Sequence, residues 1–374
     1  MSDRILIGTR KGLFSLKRDT ASSWSIDTTD FLGDPVTISA YDQRSGYYYA
    51  ALKHGHFGVK LHRSKMLGGE WEEIACPTYP PLPDGREPDR CPMRDIEIPW
   101  TLEQIWALVS GGSDQPGRLW CGTIPGGLFK SDDNGDSWTI VDSMWNRPER
   151  LKWFGGGYDF PGIHSICVSS QDSKQVTFGV SCGGVWRTED DGESWSLEGK
   201  GLRADFLPPE QAYDPIPQDV HFMAHCAEHP DSLWIQHHNG IFKSTDGGRN
   251  FSEIKEAGPS VFGFAVAVHP QNPDTAWFAP AIKDELRIPK DGQLVITRTR
   301  DGGESFDILR SGLPQEHAYD LIYRHGLAVD HTGSRLALGS TTGSVWVSEN
   351  QGDDWTLISN NLPPVYCIGF QAPC

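Results

Sequence analysis

Five near-copies of one eight-residue turn limit the folds open to this 374-residue chain. They read SDDNGDSW from Ser131, TEDDGESW from Thr188, STDGGRNF from Ser244, TRDGGESF from Thr299 and SENQGDDW from Ser348, so successive starts lie 57, 56, 55 and 49 residues apart. The same block precedes each copy: an apolar strand, a polar turn, a second strand, a Gly-bearing turn and a third strand. One unit reads VHFMAHCAE, SLWIQHH, GIFKST and then the turn with NFSEI. A unit of this length cannot bury its apolar face alone, so several must stack into one repeat architecture. The 41 Gly and 26 Pro break the chain into short strands and leave no room for long helices.

The recurring turn has the form S/T-x-D-x-G-x-x-W/F. The hydroxyl and carboxylate bond backbone amides across a tight turn, the Gly adopts a conformation barred to other residues, and the aromatic anchors the turn. On these residues the chain resembles the Asp-box or bacterial neuraminidase-repeat propellers, a group with sialidase-like and sortilin-like members. In that family the turn joins the third and fourth strands of a blade and is structural. The resemblance implies an all-β β-propeller, and counting the repeated units gives a single seven-bladed domain over residues 1–374. The expected blades are 365–371 with 1–30, then 31–75, 101–142, 160–198, 218–256, 260–310 and 323–360. The first unit, RILIGT/GLFSLK/SWSID, lacks an inner strand, which VYCIGFQ (Val365 to Gln371) can supply. Closing the ring in this way hides sheet edges. The chain departs from true sialidases in two respects. Its one RIP, at Arg287-Ile288-Pro289, falls in blade six rather than blade one, and seven blades are counted where sialidases have six.

One face of such a propeller carries only short turns and the repeated box. The other carries long loops, including 75–104, 143–163, 200–220, 282–293 and 310–324, and long loops on one side of a rigid scaffold usually hold function. Five histidines point to that mouth: His54 and His237 end second strands, and His164, His221 and His325 begin inner strands. Neutral imidazole is the commonest transition-metal ligand, so the convergence predicts a divalent Zn, Fe, Mn or Cu site. Adjacent strand residues face opposite ways, so only one of His237 and His238 enters the channel. The alignment with Thr9, Ser181 and Ser340 favours His237.

Cations crowd the same loops. Arg10, Lys53, Lys283, Arg287 and Arg324 are candidate substrate contacts, and Asp219, Tyr319 and Asp320 are candidate proton-transfer groups. The loop MWNRPERLKWFGGGYDFPG can add an aromatic wall. The expected function is a metal-supported hydrolase or lyase acting on a small anionic or oxygen-rich molecule, sugar-like or aromatic. The alternatives are a non-catalytic ligand- or protein-binding propeller and, third, a glycoside hydrolase. A net charge of −17 argues against nucleic acid or an anionic membrane as partner. No apolar run is long enough for a membrane span or a signal peptide. With eight cysteines and no CxxC pair, reduced thiols and a cytoplasmic address are expected.

Overall fold

Seven four-stranded antiparallel sheets stand in a ring in the computed structural model, which describes residues 1–372. Six blades are consecutive in sequence. The seventh sheet joins both ends of the chain, in the order Val365–Phe370, Arg4–Thr9, Gly12–Arg18 and Trp24–Asp30. The C-terminal strand pairs Ile5 with Phe370 and Ile7 with Ile368, so the ring closes as the sequence predicts. The only α-helix among the described residues is the single turn Asp142–Trp145. No described helix is long and apolar enough to cross a membrane.

Large aromatics fill the space between blades. Trp120, Trp186, Trp234 and Trp277 are fully buried on second and third strands, each contributing a large apolar surface to the packing of neighbouring sheets. The seven described cysteines are free; Cys374 lies outside the described residues.

All five repeated turns share one bonding pattern. In the first, Ser131 Oγ donates to Asp133 Oδ1 at 2.7 Å and accepts from Gly135 N at 2.9 Å, and Ser137 N donates to Asp133 Oδ1 at 2.9 Å. Thr188, Ser244, Thr299 and Ser348 repeat the hydroxyl role, with Asn350 replacing the carboxylate in the last copy. These bonds hold the Asp190 and Asp301 carboxyls down to about 2. Gly135 sits at φ 92°, and a Cβ there would meet Ile74 Cδ1 at 2.8 Å. Gly135→Ala should therefore cost about 1–2 kcal/mol, read as a lower denaturation midpoint in urea. An unchanged midpoint would contradict this account of the turn.

Candidate functional site

The inner strands share a distortion that builds the mouth. Blades two to five each slip register near the top of the inner strand, between Val36 and Ile38, Ile105 and Ala107, Ile163 and Ser165, and Val220 and Phe222. Blade six does so between Gly263 and Val266. A bulge re-aims the residue it leaves unpaired. Here the skipped residues are Thr37, Trp106, His164 and His221, with Phe264 inside the blade-six slip. Thr37, Trp106 and Phe264 line a cavity of about 530 Å³ together with Arg10, Lys53, Gln104, Tyr158, Arg287, Tyr323, Arg324, His325 and Tyr366. A smaller cavity of about 150 Å³ adjoins it through Gly157, Phe264, Arg287 and Arg324, and it holds Asp219, His221 and His238.

The five predicted imidazoles do not meet. His164 Nε2 donates to Val220 O of blade five at 2.7 Å, and its Nδ1 lies 2.7 Å from Ser165 Oγ. His325 Nε2 donates across the channel to His164 O at 2.9 Å. These rings tie blades together. Burial pushes His164 well below the ordinary histidine value and His325 down to about 4. His54 stands apart, with Nδ1 3.4 Å from Asp34 Oδ1.

The choice between the blade-five pair is also corrected. His237 is fully buried against Phe242, 5.3 Å between rings, and its Nδ1 accepts from Asn239 N. His238 is the one at the mouth. Its backbone N donates to Asp219 O at 3.0 Å, so the ladder runs one residue past the strand end and sets His238 opposite Asp219. The alternation rule was sound, but the paired partner decides which side is which.

Asp219, His221 and His238 bring one potential ligand atom each within 4.8 Å of one another. His221 Nδ1 lies 2.7 Å from Gly263 O, and its Nε2 lies 3.5 Å from Asp219 Oδ2. His238 Nδ1 is 3.3 Å from the same oxygen. Burial opposes the charge on Asp219, yet His221, His238 and Arg324 hold its carboxyl well below the usual range. Burial likewise opposes protonation of His238, but the Asp219 hydrogen bond and charge outweigh it and raise the imidazole. For His221 burial wins and the shift is downward.

The loop carrying Gly155 to Tyr158 covers this group. A side chain at Gly156 would stand 2.7 Å from Ser181 Oγ and 3.1 Å from Asp219 Oδ1, so only glycine allows the loop this close. The loop is anchored by a buried ion pair, Arg150 with Asp89 at 2.8 Å, to which Trp100 Nε1 adds a bond at 3.0 Å. Tyr158 then packs edge-on to Trp106 with centroids 5.0 Å apart, and its hydroxyl donates to Gln104 at 3.2 Å.

Among the predicted cations, Arg10, Lys53, Arg287 and Arg324 reach the larger cavity. Arg287 also pairs with Asp284. Lys283 is spent on Glu285 at 3.4 Å, and it lines neither cavity. Of the proposed proton-transfer groups only Asp219 is in place. Tyr319 is 59% exposed, and Asp320 is bonded by Thr342 in the blade-seven hairpin. Sequence reasoning missed His238, Trp106 and Phe264, while Tyr158 comes from the loop expected to add an aromatic wall. Aligning the inner-strand openings IWA (105–107), IHS (163–165) and VHF (220–222) is the signal that finds Trp106.

No protein-family model matches the chain, and no curated protein matches it. Solved structures resemble its fold at low identity. An ancestral GH74 enzyme is 15% identical with a TM-score of 0.55, over 90% of this chain and 38% of that one. YCF48 bound to a D1 peptide is 14% identical with a TM-score of 0.52, over 87% and 82%. A candidate 6-phosphogluconolactonase from Bacteroides uniformis is 13% identical with a TM-score of 0.58, over 98% and 99%. The chain thus spans well under half of the GH74 enzyme, and these likenesses establish the propeller fold alone.

Proposed function

We propose that the loop-rich mouth is an active site in which Asp219, His221 and His238 hold a divalent transition metal that supports hydrolysis or elimination on a small molecule. One observation carries this reading. The Gly263 carbonyl can only accept, so the contact at 2.7 Å puts a proton on His221 Nδ1; in the neutral ring that burial favours, Nε2 then keeps its lone pair. That lone pair faces Asp219 Oδ2 at 3.5 Å. Two electron-rich atoms across such a gap repel, and a cation between them reverses the sign. An imidazole backed by a carbonyl at its other nitrogen is the usual state of a metal ligand.

Two imidazoles and a carboxylate suit Zn, Fe, Mn or Cu. Such a metal supplies Lewis acidity, polarising a carbonyl or activating water. The chain's own residues bind and orient: Arg287 and Arg324 border both cavities, and Trp106 and Tyr158 line the larger one. Asp219 serves here as ligand rather than as proton-transfer group, and Tyr319 and Asp320 have no part.

We read the five turns as Asp-box repeats, which fits the kinship of shape with a GH74 enzyme, but glycosidase chemistry fits the mouth less well. It needs two facing carboxylates. Only Asp219 and Asp284 among the lining residues are acidic, and Asp284 is paired with Arg287. Seven unpaired cysteines support a reducing compartment such as the cytoplasm.

Calorimetric titration of chelator-stripped protein with Zn²⁺ or Mn²⁺ tests the site. About one equivalent should bind, at least ~10-fold more weakly in Asp219→Asn and His221→Gln, and unchanged in His54→Gln. Equal binding in all variants, or no saturable binding, overturns the metal reading. A non-catalytic binding propeller then takes its place, a reading favoured by His164 and His325, whose rings are spent on carbonyls.

A further inference from the structure

The larger cavity holds a cation that makes no ion pair, although the Asp219 charge acts on it from the adjoining cavity. Arg324 is only 7% exposed, and its Nε and Nη2 atoms are buried with no hydrogen-bond partner. Every other arginine that is as deeply buried among the described residues has a partner for its charge: Arg63, Arg118, Arg150, Arg187, Arg298 and Arg335 all form ion pairs. A buried guanidinium with unmade bonds is costly. Its site is also built around it. The guanidinium lies 5.0 Å from the Trp106 ring centroid and 5.2 Å from that of Phe264. At Gly157 a Cβ would stand 3.3 Å from Nη2 and 3.4 Å from Nη1, so a glycine lets the loop pack close against the guanidinium.

The rest of the cavity agrees. No carboxylate lines it among the described residues, while Arg10, Lys53 and Arg287 do, in a chain of net charge −17. Trp106, Tyr158, Phe264, Tyr323 and Tyr366 supply flat apolar walls. A volume of about 530 Å³ suits one small organic molecule.

We propose that this cavity is a receptor for a planar organic carboxylate: the carboxylate takes the two-pronged edge of Arg324, and its aromatic or conjugated body lies against Trp106, Tyr158 and Phe264. A carboxylate matches a guanidinium fork bidentately and stays coplanar with the ring it is conjugated to. This deepens the reading of the same mouth and rests on it only for the reaction, since the carboxylate contacts need no metal.

The test titrates benzoate, 2-naphthoate, benzamide, acetate and phenylphosphonate into chelator-stripped protein by calorimetry. Benzoate and 2-naphthoate should bind, the naphthoate more tightly, with benzamide and acetate each at least about 10-fold weaker than benzoate. Arg324→Lys keeps the charge but loses the fork and should weaken benzoate about 10-fold or more. Arg10→Gln should cost only a few-fold, by removing a longer-range attraction. If the Arg324 variant fails to fold, the wild-type comparison of benzoate with benzamide still decides. Equal binding of that pair, no binding of either aromatic carboxylate, or tighter phenylphosphonate than benzoate overturns the assignment. Because these titrations use metal-free protein, carboxylate binding can succeed where the metal titration fails, and the reverse.

Discussion

Removal of residues 364–374 is expected to abolish the cooperative thermal transition rather than lower it by a few degrees. The strand Val365–Phe370 is the inner strand of the blade that joins both chain ends. It pairs along its length with Arg4–Thr9. On its other side Val365 N donates to Ser340 O at 2.9 Å and Ile368 N to His325 O at 2.8 Å, which ties blade one to blade seven. Val365, Cys367 and Ile368 are 0%, 2% and 7% exposed. At ~1.5–3 kcal/mol for each large buried apolar side chain, their loss removes about 5 kcal/mol before the newly exposed Ile5 and Ile7 are counted. That is comparable with the whole stability of a typical domain, ~5–15 kcal/mol. Circular dichroism melts of the truncated and full-length proteins provide the measurement, with removal of residues 373–374 alone as the control. A truncated protein melting within a few degrees of full length would mean that the ring does not depend on this closure.

Acid should weaken the folded protein at pH values well above those at which carboxylates titrate. Burial lowers His164 strongly, and it pushes His225 and His325 down to about 4. A histidine lowered in the folded state refuses a proton that the unfolded chain accepts below its ordinary value near ~6.5. The folded state therefore loses stability as pH falls from ~6.5, and continues to do so down to the folded values near 4. At pH 5 the full linkage term for His225 or His325 is ~2 kcal/mol each, reduced to ~1–2 kcal/mol because both rings are part-exposed. His164, buried and bonded to Val220 O, acts in the same direction. The expected result is a clear drop in the urea midpoint between pH 7.5 and pH 5, made shallower by His325→Gln. Equal midpoints at the two pH values would show that these imidazoles remain open to protonation in the folded protein.

The local features of the blade were legible because their causes are local. The turn of Ser131, Asp133 and Gly135 is closed by bonds spanning no more than four residues, so eight letters suffice to announce it. Strand alternation and the spacing between turns likewise act within one unit, and their repetition carried the count to seven. Even the closing strand could be read, since a first unit without an inner strand requires one from elsewhere.

The site was legible only in outline. That Asp219, His221, Arg10, Lys53, Arg287 and Arg324 gather at the loop-rich face, where they line the two cavities, followed from which loops were long and which strand ends pointed to them. The roles did not follow. His164 and His325 have the same sequence placement as His221. Yet each spends its Nε2 on a carbonyl of another blade, Val220 O and His164 O, which is distant in sequence. His221 instead bonds Gly263 O through Nδ1 and keeps Nε2 for Asp219.

What the sequence determined by itself is therefore the closed seven-bladed ring and which face bears the long loops, because both arise from short-range bonding repeated at a fixed period. Tertiary structure alone decided that His238 rather than His237 joins Asp219, and that Arg324 Nε and Nη2 are left without a hydrogen-bond partner. Those outcomes depend on a one-residue bulge at His221 and on atoms brought by neighbouring blades. A change of one residue in register reverses the direction of a side chain, and no pattern within a single strand records which carbonyl or carboxylate another blade will present to it.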